Sequence, residues 1–499
     1  MRFFRFLASF ACFVVVLTDV PARTQELTQL RRRAREIEDE VSAIRELAFK
    51  WPIDVAVQSP SDFKAYAERQ MERQFTAAEW ENYDPVIRKL GLYSGDAVLD
   101  RSLVLSFLQA GALAYYDPDT DRFYILKENL PAGLLDVVLA HELSHGLQDQ
   151  HFDLNRYLPA RADSLNTDEQ LARQAVGEGD ATYVETIWYL YSRTGRMPVR
   201  GLLRSMIRDQ LVFDAETLRN NMKQLAQLQG SSPQALQTID KLPDFMLLQQ
   251  AVVYAYGMNF VHEIQRDGWS AVNRLYAEPP VSTEQILHPG KWIDREEPDR
   301  FTWPPFQEED LFDDWNLLDV DTIGELTWRI IFADFDMDVR GESAAEGWNG
   351  DRYAVFRSKD GRNLLLLLYT SWDTEDDADD FADAYRELLT LKYPSDSGSI
   401  DVSQDGRDVL ILECDEWVDS NAILAFMGRI RTWEREAIVR VDFDGNGRVD
   451  FNDFLLFARH FGRQEGTTGF DPMFDLNRDG QINFPDFLTF ARHFGKSVS

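Results

Sequence analysis

The stretch Val137–Gln150, VVLAHELSHGLQDQ, decides how the first half of this 499-residue chain is read. Inside it lies His141-Glu142-Leu143-Ser144-His145, an H-E-x-x-H. Residues four apart on a helix share a face, so both imidazoles can reach one ion. Glu142 adjoins the first imidazole and can act as base on a water held there. A helix is the expected context. Leu134, Leu135, Val138 and Leu139 supply an apolar side, and Pro131 stands near the start. In a chain of this composition the pattern arises by chance on the order of 0.01 times.

Two histidines do not complete a catalytic zinc site, which takes three protein ligands and leaves a fourth position to water. The sequence offers Glu178, in Gly177-Glu178-Gly179-Asp180-Ala181, and His151. An H-E-x-x-H helix followed by a later helical Glu resembles the gluzin group of zincin metallopeptidases, over about Ala114–Thr186. That resemblance implies His141, His145 and Glu178 as zinc ligands and Glu142 as general base. It leaves Asp180 or Asp149 to orient a ligand, because Thr182 stands where the thermolysin type has its Asp. The alternative resemblance is to metzincins, whose third His matches the position of His151. There the helix must break sharply, and Gln148 replaces the turn glycine that permits it. Glu178 is therefore preferred, with His151 kept open. For the donor that steadies the anionic intermediate the candidates are His288, Tyr183 and Tyr256. His288 comes first, since it sits in a polar loop before Pro289.

Moving outward, Ala114-Tyr115-Tyr116 and Phe123–Leu126 flank Asp117-Pro118-Asp119-Thr120-Asp121 and predict a hairpin that could align an extended peptide. Leu27, Leu30, Ala34, Ile37, Val41, Ile44 and Ala48 form a heptad seam over Gln25–Phe49. It is expected to pack on the next domain or to pair two chains. Residues 1–22, with Arg2, Arg5 and the apolar Phe6–Leu17, read as a secretory signal, which places the mature protein in an extracellular or periplasmic compartment. Loss of that segment leaves Cys414 alone, so no internal disulfide can form. Residues 165–192, 199–229 and 251–265 predict helices, and the acidic, Trp-rich, Pro-punctuated 296–321 predicts a linker or a domain edge. Residues 322–436 predict an antiparallel sheet with helices on one face.

The tail repeats itself. Asn452–Gly462 recurs as Pro485–Gly495. Each copy follows a twelve-residue loop of the kind that binds calcium. The first loop offers Asp442, Asp444, Asn446, the Arg448 carbonyl, Asp450 and Asp453. The second offers Asp475, Asn477, Asp479, the Gln481 carbonyl, Asn483 and Asp486. Gly447 and Gly480 stand at the turn position. A tandem pair with Asp at position twelve resembles a type I dockerin, over about Val439–Gly495. The resemblance implies two calcium ions and a cohesin-like or cell-surface partner. Phe451-Asn452 and Phe484-Pro485 depart from the small hydroxyl residues usual at the family's contact positions.

A net charge of -33 and a pI near 4.6 argue against nucleic-acid binding, whose phosphates would repel the chain. The expected architecture is multidomain α+β. A signal at 1–22 and an amphipathic helix at 23–50 precede a mainly helical zincin-like domain at 51–310. An antiparallel α+β domain at 322–436 and an EF-hand, dockerin-like tail at 439–499 follow. The expected function is secreted, zinc-dependent hydrolysis of a protein or peptide substrate, with a calcium-binding anchor and no membrane span. The alternatives are an inactive zincin-like calcium-binding scaffold, or a dockerin-bearing component of a polysaccharide-degrading complex.

Overall fold

The computed structural model describes residues 27–126, 132–161, 165–211, 214–228, 233–393, 398–430, 440–467, 469–476, 480–491 and 493–497. The expected signal segment, residues 1–22, lies outside them, as do Asn477 and Asp479 of the second loop.

Helix α1, Leu27–Arg45, buries Leu30, Ala34, Ile37, Val41 and Ile44. The heptad seam is therefore spent within the chain, against two long helices, rather than on a second copy. Strands β1 (Asp54–Val57), β2 (Ala114–Asp117) and β3 (Arg122–Ile125) form a small sheet in the order β1-β3-β2. β2 and β3 are the expected hairpin, with Tyr115 opposite Tyr124. The H-E-x-x-H lies in helix α2, Ala132–Phe152. Helix α3, Thr167–Thr194, begins at a capping box made by Asn166 and Glu169 and stops at Gly195. Helix α4, Asp244–Ile264, packs on α3 so closely that a Cβ on Gly179 would lie 2.1 Å from the Gly257 backbone. Only glycine permits that approach.

The second domain is a five-stranded antiparallel sheet. Its strands are β4 (Trp315–Asp321), β5 (Trp348–Ser358), β6 (Leu364–Trp372), β7 (Ser399–Asp405) and β8 (Asp408–Cys414), ordered β4-β5-β6-β8-β7. Side chains alternate between faces along a strand. Tyr353, Val355, Leu366 and Leu368 meet Trp328 of helix α5 (Glu325–Asp334) and Phe381 and Tyr385 of helix α6 (Glu375–Lys392). Ala354, Phe356, Leu365 and Leu367 meet Phe301, Trp303 and Phe312, with Ile423 and Phe426 of helix α7 (Ser420–Met427).

Two expectations are corrected here. The segment 296–321 is not a linker: its aromatic residues cover the sheet's second face, and its end is the edge strand β4. Helices therefore do not lie on one face only. The apolar core also runs unbroken from the helical domain into the sheet's first face. Lys291 joins the two regions. Its ammonium lies 2.6 Å from Glu284, 2.7 Å from Glu296 and 2.7 Å from Asp373. That acidic trio has the composition of a metal site, but the chain's own cation occupies its centre.

The tail closes by reciprocal pairing. Val449 of the first loop exchanges backbone hydrogen bonds with Gly495 and Lys496, after the second helix. Ile482 of the second loop does the same with Gly462 and Arg463, after the first. Helices α8 (Phe451–His460) and α9 (Phe484–Ala491) pack around Phe457 and Phe490, whose rings stack at 5.7 Å.

Candidate metal centre

The helices bring His141, His145 and Glu178 to one point. The two Nε2 atoms are 3.1 Å apart, and Glu178 Oε2 lies 3.3 and 3.4 Å from them. Zinc–ligand bonds of about 2.0–2.1 Å in tetrahedral geometry put ligand atoms roughly 3.3 Å apart. The three atoms already have that spacing.

Their other faces are spoken for. His141 Nδ1 lies 3.0 Å from Glu185 Oε2, and His145 Nδ1 lies 3.0 Å from Gln148 Oε1. Gln148 donates its own amide to the Gly177 carbonyl at 3.0 Å, which fixes the amide's orientation. Both oxygens accept, so each Nδ1 carries the hydrogen and each Nε2 presents its lone pair. Among the described residues none donates a hydrogen bond to the buried Glu178 Oε2. Three acceptors thus converge on one buried point, an arrangement that calls for a cation or for protons. Burial alone would lower His141, but Glu178 and Glu185 overcome it and lift it to about 10. Burial alone would raise Glu178, but His145 and His141 hold it at about 2. The residues fit zinc: two imidazoles and one carboxylate, with their second partners in place.

Glu142 points to the same region from the next position on α2. Its Oε2 accepts the Tyr116 backbone N–H at 2.8 Å, so the edge strand β2 anchors it. Burial lifts its carboxyl above the usual range, against the pull of His141 and His145. That shift moves a carboxylate toward the range useful for taking and returning a proton. The Tyr254 ring stacks near the His141 ring, with centroids 5.9 Å apart.

Several expected residues lie elsewhere. His151 gives its Nε2 to the Ala48 carbonyl at 2.8 Å, at the end of α2, and is no ligand. Asp180 does not orient a ligand. It takes both arms of Arg45, at 2.9 and 3.1 Å, and the Tyr276 hydroxyl at 2.8 Å. Asp149 binds the Tyr116 hydroxyl and the Leu154 N–H. His288 is held 3.0 Å from the buried Glu325, on α5, and is not brought to the triad. Tyr183 pairs with His262 at 3.2 Å. Tyr256 senses the charges of Arg329, Glu342 and Glu325. The orienting groups are Glu185 and Gln148. Glu185 could have been found from the sequence, because it lies two helical turns past Glu178 on the same face.

In the tail, carboxylate oxygens of Asp442, Asp444 and Asp453 gather within 4.8 Å of one another. Asp453, at position twelve, accepts the Asp444 and Asp450 N–H groups at 3.0 and 2.8 Å. Asp450 caps α8, and Asn446 lies beside Asp444 and Asp450. Gly447 and Gly480 turn at φ +85 and +80, in the left-handed region. In the second loop Asp475 accepts the Gly480 N–H at 2.9 Å, and Asp486 accepts those of Leu476 and Asn483, each at 2.8 Å. Among the described residues the buried Asn483 Oδ1 has no partner, as a calcium ligand position would leave it. The Arg448 and Gln481 segments carry the two short bridges of the clasp.

Residues 440–495 match the family model of the dockerin type I domain. Residues 316–422 match a domain of unknown function, DUF8575. The helical domain that carries the triad lies outside both matches. No curated protein and no solved structure matches the chain. The tail is thus dockerin-like and calcium-binding in type, and a cohesin is the kind of partner such a domain takes.

Proposed function

We propose that this chain is a secreted zinc-dependent peptidase attached to its place of work by a calcium-loaded dockerin tail. One observation carries the reading. His141 Nε2, His145 Nε2 and Glu178 Oε2 stand at the mutual spacing of zinc ligands, with both Nδ1 atoms already committed. Zinc bound there would supply Lewis acidity and make water a nucleophile at neutral pH. Glu142 takes the proton of the attacking water and returns it to the departing amine of the cut peptide bond. The Tyr116 N–H holds the Glu142 carboxylate in place for both transfers. Glu185 and Gln148 keep the two imidazoles in the tautomer that can bind metal. The substrate class is protein or peptide, and no helix among the described residues is long and apolar enough to cross a membrane.

Glu142→Gln is the test. It is expected to keep one zinc per chain by elemental analysis while casein hydrolysis falls about 10²–10⁴-fold. Undiminished hydrolysis in that variant refutes the role.

The dockerin match favours a second reading, a component of a polysaccharide-degrading assembly. Wild-type chain loaded with zinc and inert toward casein and gelatin, yet retained by an immobilised cohesin in calcium, would support it. Failure to bind the cohesin in calcium would remove it.

A further inference from the structure

The second domain hides its indoles. Trp328, Trp348 and Trp372 are among the largest fully buried side chains of the protein. Trp417 is the contrast, 82% exposed. It stands beside a cavity of about 600 Å³ formed by the end of α6, the first residues of β7 and the turn into α7. A volume of several hundred Å³ suits a small ligand or a few residues of a polymer. An indole at the rim of a cavity offers a flat apolar face that a ligand can cover.

The rest of the lining states what that something is. Thr390, Ser420 and Asn421 contribute hydroxyl and amide groups. Asp419 adds a carboxylate, already engaged in capping α7 through the Ala422 N–H. Tyr393 turns its hydroxyl inward to Glu413 at 2.7 Å. Among the described residues no lysine or arginine lines the cavity. A phosphorylated or sulfated ligand would find no counter-charge there, and the chain's net charge of -33 would repel it. An extended peptide would need the free edge of β7. That edge is obstructed, since Arg386 of α6 donates to the Val402 carbonyl at 3.3 Å and Asp401 adds charge along it. What remains is a neutral molecule rich in hydroxyl groups with a flat apolar face.

We propose that this cavity binds a neutral oligosaccharide. One sugar ring lays its C–H face on the Trp417 indole, whose π face carries the complementary negative charge. The sugar's hydroxyls exchange hydrogen bonds with Ser420 and Asn421. The site is independent of the metal centre and holds whether or not the triad is hydrolytic.

The test uses the full chain in calcium. Affinity electrophoresis in gels containing hydroxyethylcellulose, arabinoxylan or glucomannan is followed by calorimetric titration with cellohexaose, xylohexaose and mannohexaose. At least one glycan is expected to retard the wild-type chain and to bind in titration. Trp417→Ala is expected to weaken that binding about ten-fold or more, with an unchanged melting temperature because the ring is exposed. Asn421→Ala should weaken it less, and casein hydrolysis should not change in either variant. The proposal is overturned if no glycan binds at millimolar concentration. It is equally overturned if binding survives Trp417→Ala, or if a proline-rich or extended decapeptide occupies the cavity in place of every sugar.

Discussion

The candidate zinc centre and the calcium loops are built in opposite order. In the helical domain the ligands sit on α2 and α3, long helices already fixed by α1, α4 and a continuous apolar core. His141, His145 and Glu178 hold their spacing because the packing holds it. In the tail the cores are a few side chains, Val441, Val449, Leu476 and Phe490 on one side and Phe457, Phe474 and Ile482 on the other. The carboxylates of Asp442, Asp453, Asp475 and Asp486 organise the loops by gathering backbone N–H groups. A fold that small needs the ion's binding energy to stay folded. In one region the fold makes the site; in the other the site makes the fold.

The comparison breaks most readily at the tail. Stripping calcium with EGTA should unfold residues 440–495 outright while the rest of the chain keeps its melting transition. Hydrogen exchange resolved by peptide reads both, and a tail that stays protected would put the two sites in one class. Next in size, Glu178→Ala should weaken zinc by more than the about 10–100-fold that an orienting partner costs, while the far-ultraviolet circular dichroism stays native. Glu185→Ala should fall within that 10–100-fold range, read by competition with a chromogenic chelator. Loss of the fold in either variant would show that the metal supports the helical domain as well.

The smallest effect concerns the Lys291 cluster. Burial raises the Glu284 carboxyl, Lys291 pulls it back, and the net result is about 7 against an ordinary 4.5. A carboxyl raised on folding contributes stability that is complete below pH 4.5 and is lost as pH rises through 7. Glu284→Gln should therefore flatten the decline of stability across that window, measured by urea titration at several pH values. An unchanged slope would assign the decline to other groups.

Both metal patterns were legible in the sequence because both are local. Four residues of helix carry His141 and His145, and twelve residues carry each calcium loop. Glu178 was reachable through the helix that bears it. Tyr254 was not, because it reaches His141 from α4 across a tertiary contact with no motif of its own. His288 was misplaced for the opposite reason. A polar loop before a proline says where a side chain is exposed and nothing of the buried Glu325 that claims it. Of the two readings of 296–321, the linker fails and the domain edge stands, because its aromatics pack and its end is the sheet's edge strand. Phe301, Trp303 and Phe312 were the better guide, since so many large rings need a surface to cover.

Arg45 and Asp180 are 2% and 1% exposed, and 135 positions separate them along the chain. Synthesis therefore releases the guanidinium long before its carboxylate. Until α3 has left the ribosome, α1 has no completed seat. Departure of α1 would leave the Asp180 charge in the interior with only the Tyr276 hydroxyl, beside the helix turn that bears Glu178. Release of α1 would therefore loosen the same stretch of α3 that presents Glu178.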